Sequence, residues 1–65
     1  MHSKDEVLKN ARASYNSGDT ARMLNSLAEI VSVVPQVKPV FDMITSLPEN
    51  ERKAALKEVL EGFLG

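Results

Sequence analysis

The sixty-five residues include no cysteine, no tryptophan, one histidine, one tyrosine, two phenylalanines, three glycines and three prolines. Each shortage closes a route. Without thiols there is no disulfide framework and no thiolate metal site, and the single imidazole, His2, cannot assemble a zinc site unaided. Gly18, Gly62 and Gly65 are too scattered for a phosphate-cradling loop, and neither a Walker A nor a dinucleotide fingerprint occurs. Eight lysines and arginines against nine acids give a formal charge of −1, so the footprint of a nucleic-acid binder and the basic face that suits an anionic membrane are both missing. The most apolar stretch, Ile30 to Val34, ends at Pro35, well short of the roughly 18 residues that a membrane span needs. Met1 to Glu6 is polar with no signal-like apolar segment behind it, so a cytoplasmic setting is expected.

A chain of this size buries only about 60% of its unfolded surface, and without a staple it depends on good helix packing or on self-association. Helical periodicity runs through most of it. The first helix is expected over about residues 4–17, opened by a Ser3/Glu6 capping box and closed by Gly18, with Val7, Leu8, Ala11 and Tyr15 on one stripe. The second is expected over 20–34, with Asp19 or Thr20 as its cap and Pro35 as its stop. Its apolar residues, Ala21, Met23, Leu24, Leu27, Ala28, Ile30, Val31, Val33 and Val34, cover roughly 240° of the circumference at 100° per residue. Ser26 falls at the border of the remaining polar edge. A helix of this kind needs cover from two or three sides.

The third helix, about 37–46, places Val40, Phe41, Ile44 and Leu47 on one face and tolerates Pro39 in its first turn. The fourth, about 48–63, takes Ser46 or Leu47 as its cap and buries Ala55, Leu56, Val59, Leu60, Phe63 and Leu64. Short connections favour antiparallel neighbours. The fold class expected is therefore all-α: one domain over residues 1–65, a compact bundle of three to four short antiparallel helices.

Catalytic constellations are missing because their residue types are. His2 reads as a terminal residue. Glu58 and Glu61, three apart on the outer face of the last helix, read as solvated charges, and any magnesium binding by them would be weak. Arg52, Lys53 and Lys57 are interleaved with Glu49, Glu51, Glu58 and Glu61, which cancel most of a basic patch. Neither an enzyme, nor a metal, nor a cofactor is expected.

Two stretches resemble known families. Ala13-Ser14-Tyr15-Asn16-Ser17-Gly18-Asp19, followed by Leu27 and Pro35, resembles a single tetratricopeptide repeat, although Met23 and Ile30 stand where that family has small alanines and Val7 where it has a large aromatic. The resemblance implies a helical hairpin and a protein-binding role. Leu47-Pro48-Glu49-Asn50-Glu51-Arg52 resembles the opening of the helix-turn-helix region of sigma factors, but the chain stops before a recognition helix, so that mode of DNA reading is not implied. The same opening is similar to helix starts in docking and carrier modules of modular synthases.

The expected function is a small non-catalytic interaction module, an adaptor, docking domain or regulator, working through an apolar strip of helix two and its neighbour. Met23, Ile30, Val33 and Met43 are the expected partner-binding residues. The partner would be another protein or a second copy in a homodimer, with no membrane involved. The alternative is a small helical nucleic-acid-binding regulator using Arg12, Arg22, Arg52, Lys53 and Lys57.

Overall fold

The computed structural model describes residues 3–65, so His2 lies outside the described residues. Four α-helices account for most of them: α1 Lys4–Ser17, α2 Thr20–Val33, α3 Lys38–Thr45 and α4 Glu49–Leu64, with a 3₁₀ turn at Pro35–Val37 leading into α3. The helix ends follow local chemistry. Ser3 is extended and its hydroxyl accepts from the Glu6 N–H at 3.2 Å. Asp19 caps α2 through Oδ1, which accepts from the N–H groups of Ala21 and Arg22 at 3.0 and 3.4 Å. Between them Gly18 adopts φ +69°, the left-handed turn that reverses the chain.

Three boundaries differ from the sequence expectation. Pro48, not Ser46 or Leu47, caps α4, its carbonyl taking the Glu51 and Arg52 N–H groups. Val34 stands outside α2 as its C-cap. Pro35 does not simply stop the chain, because with φ fixed and no N–H to satisfy it starts the tight turn that buries Val37.

All other elements pack on α2. α1 and α3 each touch both α2 and α4 but not one another, so the α2/α4 pair forms the centre with α1 and α3 on separate flanks. α1 runs antiparallel to α4, because Tyr15 reaches Glu61 and Arg12 reaches the Leu64 carbonyl while Gly18 lies beside Lys53. α2 and α4 therefore run in the same sense. Between them the chain must return along the roughly 21 Å of α2, and the eight residues of α3, about 12 Å, supply just over half of that rise while the 3₁₀ turn and residues 46–48 supply the rest.

The core is Val7, Ala11, Met23, Leu27, Ile30, Val37, Ile44, Leu56 and Leu60. Met23 and Ile30, expected on a partner-binding strip, are 0% and 2% exposed. Met23 cannot meet a partner without unfolding, and Ile30 can be reached only from the bottom of a recess. The expectation counted α2's apolar residues correctly but gave α3 too little reach, since the turn at Val37 and the side chain of Ile44 extend its cover. Ala21 and Ala28 are exposed instead. A Cα radius of gyration of 10.7 Å matches the roughly 11 Å of a compact domain of this length.

Ser26 is a second correction, being 3% exposed where a border position was expected. It faces α1. Ser14 donates to the Asn10 carbonyl at 3.0 Å, and the Ser14 and Ser26 oxygens lie 2.6 Å apart, an arrangement satisfied when Ser26 donates to Ser14. Small side chains at Ala11, Ser14 and Ser26 bring the two helices close at this level.

Two stability outcomes follow. Gly18→Ala should cost about 1 kcal/mol in urea unfolding and Gly18→Asn less, because an added Cβ would meet only Lys53 Nζ at 3.9 Å and the penalty is one of backbone conformation. Met23→Ala should cost about 2–5 kcal/mol, the value for a large core side chain, whereas an exposed Met23 would lose less than about 0.5 kcal/mol.

Candidate functional site

Three depressions stand out on the surface of the described residues. The first is a polar groove between α1 and α2, lined by Asn10, Ser14, Arg22, Asn25, Ser26 and Glu29. Its lining includes the Ser14–Ser26 pair, whose hydroxyls already have partners in one another and in the Asn10 carbonyl. The second lies between α1 and α4 and includes Arg12, Tyr15 and Glu61. Here the Tyr15 hydroxyl donates to Glu61 Oε1, and Lys57 Nζ sits 5.7 Å from the ring centroid. Glu61, expected as a solvated charge, is therefore a structural acceptor that ties α4 to α1. The bond to the Glu61 carboxylate raises the Tyr15 pKa above its ordinary 10.0, helped by desolvation and by the carboxylate's charge.

The third depression is the apolar one. Lys4, Val7 and Leu8 of α1, Ile30 and Val33 of α2 with its cap Val34, and Phe63 of α4 enclose a cleft of about 290 Å³ at one pole of the bundle. Its origin is local. Where Ser14 faces Ser26, small residues let α1 and α2 approach; toward this pole the facing residues are Leu8, Ile30 and Val33, which are bulky, and among the described residues no further element fills the gap. The pole also gathers the start of α1 and the ends of α2 and α4, so three helix termini frame one recess.

The four expected partner-binding residues are not brought together. Met23 is core, Ile30 is buried at the floor of the cleft, Val33 stands at its rim with 38% exposure, and Met43 lies on α3 with 54% exposure. Met43 does not line the cleft. Lys4, Val7, Leu8, Val34 and Phe63 are the lining residues outside the expected partner-binding set. Leu8 and Phe63 were assigned to buried faces, and periodicity carries no signal for a face left incompletely covered at one end.

The basic set is dispersed. Arg52 Nη2 donates to the carbonyls of Thr45 and Leu47 at 3.1 and 3.0 Å, closing the end of α3 onto α4, and its Nε is buried without an acceptor among the described residues. Arg12 and Arg22 line different grooves, and Lys57 lies over Tyr15. Arg52 is thus a structural clamp, which removes it from a phosphate-binding set. Among the described residues no group of three or more His, Cys, Asp or Glu could hold a metal, and no helix is long and apolar enough to cross a membrane.

Tyr15 is the only tyrosine, so its ionisation can be followed alone through the tyrosinate ultraviolet band. A raised folded-state pKa means that the bond stabilises the fold below pH 10.0 and that this contribution disappears as pH rises through the folded value. The wild-type midpoint should lie above the ordinary value, and Glu61→Ala should bring it back; equal midpoints would remove the Tyr15–Glu61 link. No protein-family profile matches the chain, and neither a curated protein nor a solved structure matches it.

Proposed function

We propose that this chain is a small non-catalytic protein-interaction module, an adaptor, docking domain or regulator that works in a cytoplasmic setting through an apolar helical surface. The observation that carries the reading is the open apolar cleft at the pole shared by α1, α2 and α4, with Val33 at its rim. Covering such a recess gains roughly 25 cal/mol per Å² of apolar surface removed from water. The partner-binding set is accordingly redrawn around Val33, Leu8, Val34 and Phe63, with Ile30 as the floor. Met23 is no longer part of it.

A non-catalytic role is supported by the absence of cysteine and by the presence of only one histidine in the sequence. The partner is another protein. Self-association was suggested by the size of the chain and by the apolar excess of α2, and the burial of that excess leaves it with less to do.

A photo-crosslinking side chain at position 33, compared with one at the exposed position 54 of α4, tests the reading in cells that make the protein. A discrete protein adduct is expected from position 33 and not from 54. Indistinguishable patterns from the two positions, or loss of the native fold in the position-33 variant by circular dichroism together with the adduct, would defeat it.

A further inference from the structure

Among the described residues the cleft carries one charge. Lys4 stands at its edge, and the other six lining residues are apolar. Asp5 and Glu6 follow Lys4 along the first turn of α1, yet neither lines the recess. Lys4 is exposed and forms no ion pair among the described residues. An apolar recess with a lone cation at its mouth is complementary to an apolar side chain with a carboxylate beside it.

We infer that the occupant of the cleft is a short segment of a partner protein that presents one or two large apolar side chains next to an aspartate or glutamate, whose carboxylate faces Lys4. This occupant presupposes that the cleft is a docking site, as proposed above. Scale points to a segment: seven residues line the cleft, whereas a stable interface between folded faces takes about 20–30 residues a side. A volume of about 290 Å³ also lies at the lower edge of the roughly 300–1,000 Å³ that encloses a whole drug-sized ligand, so an anchor suits it better than a complete molecule.

A second copy of the chain fits less well. Its own exposed apolar residue with a neighbouring acid is Met43 beside Asp42, and the Asp42 carboxylate is held by Lys38 at 3.3 Å, one turn back on α3. Docking Asp42 against Lys4 would exchange one exposed ion pair for another, with little net gain. A separate peptide brings an acid with no such competitor. The charge of the whole chain, −1, does not draw acidic partners, so the preference has to be local to Lys4.

The test is a random peptide library displayed on phage, selected against the immobilised full chain at low salt, then against Lys4→Glu and Val33→Lys. Both substitutions suit the fold: an acid is favoured in the first turn of α1, and a cation at the end of α2. Peptides enriched on the wild type should share large apolar residues with an adjacent acid and lose that acid on Lys4→Glu. In solution, replacing the acid by lysine should weaken binding by about fivefold, and Lys4→Glu should restore it. Enriched peptides with no acidic preference, or with one that survives Lys4→Glu, overturn the charge pairing while leaving the docking reading intact. Failure to enrich, or enrichment indifferent to Val33→Lys, overturns the docking reading and this occupant with it. Concentration-dependent sedimentation abolished by Val33→Lys would instead assign the cleft to a second copy.

Discussion

Burial of Met23, Leu27 and Ile30 along one line of α2 is the constraint that the other helices answer. The three positions are separated by four and three residues, so they form a continuous ridge, and water has to be kept from all of it. α1 covers one side, α4 another and the α3 segment a third, each bringing a side chain that is itself fully buried: Ala11, Leu56 or Leu60, and Ile44. The direction of α4 is a by-product. Because α3 must lie along α2 to cover it, the chain arrives back at the start of α2 before α4 begins.

The caps of α1 and the start of α2 were legible residue by residue, since Ser3, Gly18 and Asp19 act through neighbours two or three positions away, whereas the α4 cap fell on Pro48, beyond the expected Ser46 or Leu47. What was not legible depended on distance. Ser26 looks like a border residue in a projection of α2 alone, and its burial is decided by Ser14 on another helix. Met23 and Ile30 look like surplus until the 3₁₀ turn and Ile44 are in place. The cleft is harder still to foresee, because its apolar lining residues belong to helix stripes read as apolar, and it exists only where those stripes stop short of meeting.

Polar side chains do much of the work of fastening the helices together, which matters in a chain without thiols. Tyr15 with Glu61 joins α1 to α4, Ser14 with Ser26 joins α1 to α2, and Arg52 joins α4 to the end of α3. Each links segments distant in sequence or closes a frayed helix end, and together they select one arrangement of helices that apolar packing alone would specify loosely. Arg52 carries an internal cost, its Nε buried without an acceptor among the described residues, while the carbonyls of Thr45, the last residue of α3, and of Leu47, beyond its cap, take its Nη2.

The return stroke made by α3 also decides where the polypeptide enters and leaves the bundle. Lys4 at the beginning and Phe63 near the end line the same recess, so the first and last helical turns are neighbours. A short bridge could close the backbone into a ring there, and the ring could be reopened at the exposed reversal around Gly18 and Asp19, with every helix keeping its neighbours. For the same reason the bundle can be spliced into a loop of a larger host without forcing the host's two cut ends apart. Four helices in up-and-down order bring both ends to one pole by parity, and the short third helix keeps that parity here by serving as the return stroke.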